Sequence, residues 1–177
     1  MDWNASVDEL KRAVRDVPDF PKPGIVFKDI TTLLGDPRLF RRAADLLTAQ
    51  CGHLRVDKVV AIESRGFILG SVLADRLAAA FVPVRKPGKL PWRTLRAEYE
   101  LEYGKDALEI HADAVLPGES VLVVDDVIAT GGTAAAVGQL VRQLGGRVAA
   151  FVFLVELDFL AGRAKLGSAE VLSLIRY

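Results

Sequence analysis

Two adjacent carboxylates, Asp125 and Asp126, follow the apolar run of residues 121–124 and precede the small-residue turn Ala129-Thr130-Gly131-Gly132-Thr133. Charges at the end of a buried strand are costly to desolvate unless they bind something. The turn that follows has its own chemistry. Glycines let successive backbone N–H groups converge on one point, a helix N-terminus adds partial positive charge, and threonine hydroxyls add donors. Such a turn holds a phosphate without a lysine. It is neither a G-x-x-x-x-G-K-[ST] loop nor a G-x-G-x-x-G fingerprint, both of which are absent from the sequence. A capping Asp125, a solvated Asp126 and a plain glycine turn would account for each part singly, but not for the succession. Carboxylates accept hydrogen bonds from a diol. Acids beside a phosphate cradle therefore describe a ribose 5-phosphate site.

Composition narrows what else the chain can bind. Among 177 residues, 23 Lys and Arg balance 23 Asp and Glu, so no broad field attracts nucleic acid or anionic lipid. Cys51 is the single cysteine, and with His53 and His111 as the two histidines a Cys/His zinc site is not expected. No protein residue is assigned as a metal ligand. The opening MDWNASVDELKRAV is acidic and amphipathic, unlike a secretory leader, and the longest apolar runs, such as residues 148–155, are too short to span a bilayer. The expectation is a cytoplasmic protein with no membrane or nucleic-acid partner.

The elements around the acid pair read as follows. Residues 6–17 predict a helix capped by Ser6, and Pro18, Pro21 and Pro23 then force an extended path. Asp36 and Pro37 open a helix that runs to about Gln50. Strands are expected at 58–62, 81–84, 120–124, 148–155 and 171–175, with helices at 66–80, 132–144 and 158–165 between them. A Pro/Gly/Lys loop at 86–96 precedes a hairpin around Gly104, its arms at 99–103 and 107–111. Alternating strands and helices predict a single α/β domain over 1–177, a mostly parallel sheet flanked by helices, with ligands beyond the carboxyl ends of the strands.

The string VVDDVIATGGT, residues 123–133, resembles the phosphoribosyl diphosphate motif of the type I phosphoribosyltransferases. Three further segments, PDFPKPGIVFKDIT at 18–31, ESRGF at 63–67 and RKPGKLPWRT with EYELEYGKDALEI between 85 and 110, are similar to the adenine phosphoribosyltransferase family in particular. The likeness runs from about Pro18 to the C-terminus. It implies that Asp125 and Asp126 hold the ribose hydroxyls and that Ala129, Thr130, Gly131, Gly132 and Thr133 wrap the 5-phosphate. It implies an N-terminal hood at about 18–32, where Phe27 and Leu157 enclose the purine and backbone groups of Val26 and Lys28 read its edge. Arg65, Arg85 and Lys89 are implied at the diphosphate, and a flexible lid at about 86–104 would exclude water. Trp92 stands in that lid where a small residue is usual.

The same resemblance implies magnesium on the diphosphate, adenine and 5-phosphoribosyl 1-diphosphate as substrates, AMP and diphosphate as products of purine salvage, and a homodimer. Glu102, beside the lid residue Tyr103, matches the family's glutamate at N7 of the base; a surface glutamate on a hairpin is the other reading of it. Ala129 stands where 6-oxopurine enzymes generally carry aspartate, which disfavours hypoxanthine and guanine. Orotate enzymes lack the PGIVF segment. A phosphoribosyl diphosphate-sensing regulator would need a nucleic-acid element, for which the residues before the hood leave little room.

Overall fold

The computed structural model describes residues 3–100 and 105–177. They fall into two compact units, Met1–Leu46 and Leu47–Tyr177.

In the first unit, helix α1 (Trp3–Ala13) leads into strand β1 (Arg15–Pro18), which pairs antiparallel with β2 (Val26–Asp29). The expected helix over 6–17 is therefore displaced. It starts earlier and ends at Ala13, and Ser6 is buried inside it with its Oγ accepting from Arg42 Nη1 at 2.8 Å. Two causes outweigh the helical stripe at its C-terminal end. The residue before Pro18 is pushed toward extended backbone. Cross-strand ion pairs also reward the hairpin, Arg15 Nη2 to Asp29 Oδ2 at 2.7 Å and Lys28 Nζ to Asp16 Oδ1 at 2.6 Å. Phe20 packs edge-on against Phe27, their centroids 5.2 Å apart. A short helix α2 (Thr31–Leu34), not anticipated, follows Asp29, whose carboxylate accepts the Thr31 N–H at 2.9 Å. Helix α3 (Pro37–Gln50) starts where Asp36 and Pro37 predict it, Asp36 Oδ1 accepting from the N–H of Arg38 and Leu39 at 2.8 and 3.1 Å.

The second unit is built on a five-stranded parallel sheet with the order β4-β3-β7-β8-β9, comprising β3 (Lys58–Ile62), β4 (Ala80–Val84), β7 (Ser120–Ile128), β8 (Arg147–Glu156) and β9 (Glu170–Arg176). The central strands are apolar on both faces, as a sheet covered by helices requires: Val59, Val60, Val121–124 and 150–155 are almost wholly buried. Helix α4 (Gly66–Arg76) follows β3, and α5 (Gly132–Gln143) follows β7 with Ala134, Val137, Leu140 and Val141 as its buried stripe. Strands β5 (Thr94–Glu100) and β6 (Lys105–His111) form a separate antiparallel ribbon. Cys51 is buried, which pushes its thiol up to about 12.

Beyond shifts of a residue or two, four expectations differ in this unit. The helix expected over 158–165 is two 3₁₀ turns, Asp158–Leu160 and Gly162–Leu166, broken at Ala161 with its φ of 50°. Helix α4 stops at Arg76, because Ala80 already pairs with Lys58 in the sheet. Thr94, Leu95 and Arg96, expected in the loop, belong to β5. Strand β7 runs on through the acid pair to Ile128, since β8 supplies a ladder as far as Glu156. Strand pairing there overrides the weak strand preference of aspartate.

Candidate active site

The chain passes from β3 to β4 on one side of the sheet and returns to β7 on the other, so the strand order reverses between β3 and β7. Such a switch point leaves a crevice at the carboxyl ends. The ladders show where it opens: β3 pairs with β7 only as far as Ala61 and Val124, while β8 accompanies β7 to Ile128. Asp125 and Asp126 are the first residues of β7 beyond the reach of β3.

Asp126 is buried at 7% exposure, and its Oδ2 lies 2.8 Å from Arg65 Nε. That oxygen is buried and receives no aligned hydrogen bond among the described residues. Asp125 Oδ1 accepts from the Asp126 backbone N–H at 2.9 Å. Burial first, and the adjoining Asp126 charge second, raise the Asp125 carboxyl well above the ordinary carboxylate range. A Cβ on Gly66 would come within 2.8 Å of Asp125 Oδ1, so a glycine lets α4 start directly against the acid pair.

Beyond Ile128 the chain turns into α5. Gly131 caps that helix with φ of 78°, a left-handed conformation that glycine adopts without strain, and its carbonyl accepts the Ala135 N–H at 3.0 Å. A cavity of about 180 Å³ is bounded by Asp125, Ala129, Thr130, Gly131 and Thr133, with Phe153 among its walls. Asp125, the turn and the helix N-terminus thus border one small recess, as the sequence order of the motif anticipates, with Val127, Ile128 and Ala134 completing its walls.

Glu63-Ser64-Arg65 joins β3 to α4, with the Glu63–Ser64 peptide in the cis form. Glu63 takes a two-point contact from Arg85, Nε to Oε2 and Nη2 to Oε1 at 3.2 Å each, and accepts the Lys86 N–H at 3.0 Å. The Arg85 fork holds its carboxyl below the usual range. Arg85 Nη1 also reaches the Lys89 carbonyl at 3.4 Å. The loop after β4 is therefore tied at its root to the turn that carries Arg65, and a bridge between Arg85 and Glu109 ties it to β6. Trp92 is exposed in this loop. Glu102 and Tyr103 lie outside the described residues.

Val26, Phe27 and Lys28 lie on β2 of the first unit, Val26 about half-exposed. Leu157 follows β8, its N–H donating to the Ile128 carbonyl at 3.0 Å, one step before Ala129.

Sequence reasoning passed over two participants, Tyr99 and Gly162, and gave the turn at 63–66 to the diphosphate without the contacts that Glu63 and Gly66 make. Glu63 and Gly66 stand within a quoted motif but gain meaning only when β3, β7 and the 85–89 loop converge. Tyr99 donates to Asp106 Oδ2 at 3.3 Å and also meets the Thr133 side chain, linking β5 to the start of α5. Gly162 lies against Ala129 and Gly131, backbone to backbone. A glycine after Leu157 and before Arg163 is visible in the sequence, but its neighbour across the fold is not.

A family model of the phosphoribosyl transferase domain matches residues 31–167. An adenine phosphoribosyltransferase of Geobacter metallireducens is 57% identical over 171 residues, covering 97% of this chain and 100% of the relative. Among solved structures, that of the adenine phosphoribosyltransferase of Thermoanaerobacter pseudethanolicus superposes with a TM-score of 0.95 at 52% identity, over 97% of this chain and 99% of that one. The Saccharomyces cerevisiae adenine phosphoribosyltransferase, complexed with adenine and an imino-altritol bisphosphate, has a TM-score of 0.91 at 44% identity, over 97% and 99% of the two chains. Likeness of this extent, over a fold that places an acid pair near the end of one strand and a glycine turn directly after it, decides the matter: the chain belongs to the adenine phosphoribosyltransferase family.

Proposed function

We propose that the protein joins adenine to 5-phosphoribosyl 1-diphosphate, giving AMP and diphosphate, in purine salvage. The observation that carries this reading is the end of β7 beyond the β3/β7 pairing, where two acids run into a turn and a helix N-terminus opened by a left-handed glycine. In this reading Asp125 and Asp126 accept the ribose hydroxyls, and the turn from Ala129 to Thr133 takes the 5-phosphate. Arg65, Arg85 and Lys89 face the diphosphate, with Glu63 holding Arg85 in place. Phe27, Leu157 and the backbone of Val26 and Lys28 serve adenine.

The bond from the sugar's anomeric carbon to diphosphate oxygen breaks, its electron pair leaving with diphosphate, and a ring nitrogen of adenine closes on the oxocarbenium-like carbon. Glu102 is assigned to the N7 side of the base, where a carboxyl group can hold the proton that moves as charge develops; Tyr103 belongs to the lid. No cluster of three or more acidic, histidine or cysteine ligands occurs among the described residues. In this reading magnesium is carried chiefly by substrate phosphate oxygens, which it prefers, with the acid pair at hand. Magnesium would neutralise charge on the departing diphosphate. No helix among the described residues is long and apolar enough to cross a membrane. A cytoplasmic homodimer is the state we assign. The whole chain serves as one phosphoribosyltransferase domain, a reading supported by a family match that runs across both units.

The test is diphosphate release with 5-phosphoribosyl 1-diphosphate, magnesium and each of adenine, hypoxanthine, guanine and orotate. Adenine should be preferred by a factor on the order of 10⁴, the scale set by mismatched buried polar groups. Comparable use of hypoxanthine would overturn the base assignment. Binding of the diphosphate without release from any base would make the protein a sensor.

A further inference from the structure

We propose that Glu156 and Arg163 are positioning residues for the phosphate turn, acting through the backbone of Gly162. The inference rests on the reading that the turn from Ala129 to Thr133 binds the 5-phosphate.

Strand β8 ends at Glu156, and the chain then makes two short 3₁₀ turns, Asp158–Leu160 and Gly162–Leu166, with Ala161 between them at φ of 50°. Arg163 brings the segment back onto the strand end. Its Nε donates to Glu156 Oε1 at 2.8 Å and its Nη2 to Oε2 at 2.6 Å. The same guanidinium reaches the Val171 carbonyl and Ser173 Oγ, both at 3.2 Å, and the Ser173 hydroxyl donates to Glu156 Oε2. The Glu156 carboxylate is 5% exposed. A planar fork satisfied on β8 and β9 at once leaves Arg163 little freedom.

Gly162 immediately precedes this anchored side chain, and it forms the floor of the turn. A Cβ built on Gly131 would overlap the Gly162 carbonyl; one built on Gly162 would overlap the Ala129 carbonyl and come within 2.8 Å of the Gly131 nitrogen. Two backbones in such contact cannot shift independently, because close-packed interiors transmit displacement. The height of Gly162 therefore sets the height of Gly131, whose neighbours must point their N–H groups at the phosphate. Sub-ångström placement of such donors governs binding of the group they address. Leu157 is fixed separately, through the Ile128 carbonyl. The device thus acts on the phosphate side more than on the base side.

Steady-state kinetics of Arg163→Lys, with thermal melting to verify the fold, tests this. Lysine keeps the charge but cannot make the two-point contact. KM for 5-phosphoribosyl 1-diphosphate should rise roughly tenfold, the scale of one charge-assisted hydrogen bond. At the same time kcat and KM for adenine should stay within about twofold, the signature of lost ground-state binding. A purely structural pair would lower the melting temperature and leave that KM unchanged, which overturns the proposal. If Arg163→Lys does not fold, Glu156→Gln is read in the same way, since it keeps the shape of the acceptor. Thr130→Val, inside the turn itself, separates the two levels of the argument. A raised KM in Thr130→Val with none in Arg163→Lys refutes the positioning role alone; no change in either refutes the phosphate turn and the positioning role together.

Discussion

Asp125 carries an unfavourable burden in the fold. Its carboxyl is held in the recess beside Asp126, and both burial and that neighbouring charge favour its protonated form. An acid whose pKa is raised by folding supports the fold fully below its unfolded value near 3.8, and loses that support as pH rises through the higher folded value. At neutral pH, then, stability is given up for a charge that, in the proposed function, a ribose diol would use. Asn in its place keeps an oxygen for the Asp126 N–H and has no charge to bury. Asp125→Asn should therefore melt above wild type at pH 7.5, with the gap closing as the pH is lowered toward 4, while KM for 5-phosphoribosyl 1-diphosphate rises by about 1.5–3 kcal/mol equivalent, the value of a hydrogen bond to a charged group. Differential scanning calorimetry across that range, with kinetics at its neutral end, checks both halves. A variant that melts at or below wild type at neutral pH would show that the pair is stabilising as it stands.

Elements convert such residues into a site, and the pair that ends β8 has the opposite pH behaviour. The Arg163 fork first, opposed by burial and helped by Ser173, brings the Glu156 carboxyl down to about 2. Stability from a lowered acid is present above its unfolded value, about 4.5, and disappears as pH falls toward 2. Glu156→Gln should accordingly destabilise the protein at pH 7 by about 2 kcal/mol, roughly 4–8 °C for a chain of this size, and the difference from wild type should shrink on acidification. A gap that stays constant from pH 7 to pH 3 would refute the ionic origin of the effect. The same strand end illustrates what a sequence exposes. The strands β3, β8 and β9 are legible within a residue or two because a sheet buried on both faces demands unbroken apolar runs. The acid pair and the glycine turn are legible because their order along the chain is their order in space. The extension of β7 through Asp125 and Asp126 is not, since it depends on a ladder from β8 that no local pattern announces. The hairpin at Arg15–Pro18 escapes for the same reason, its partner lying beyond a proline-rich turn. Gly162 escapes as well: contact between two backbones leaves no mark on the sequence except a glycine.

For the whole molecule, 23 basic and 23 acidic residues leave no net charge with which to gather a highly anionic substrate from a distance. Recognition has to be local, and much of the local polar capacity is already engaged within the protein: Arg85 by Glu63, Arg65 by Asp126 and Lys86 by Asp106. A substrate bearing a phosphate and a diphosphate brings more negative charge than such partly neutralised cations can balance, and it enters beside two aspartates. The divalent ion of the proposed function, travelling on the diphosphate, would relieve this mismatch without a protein cage. The consequence can be measured as linkage between binding and unfolding. At a free concentration of about 100 times Kd, a ligand that binds only the folded chain adds about 2.7 kcal/mol, which corresponds to roughly 5–11 °C in melting temperature for a chain of this length. 5-Phosphoribosyl 1-diphosphate with magnesium should give a shift on that scale; the same compound with a chelator should give much less, and Asp126→Asn should reduce the shift in the presence of the ion. Equal shifts with and without the ion would mean that the protein's own cations neutralise the diphosphate, and the place of magnesium in the reaction would then have to be sought after binding, at the departure of the leaving group.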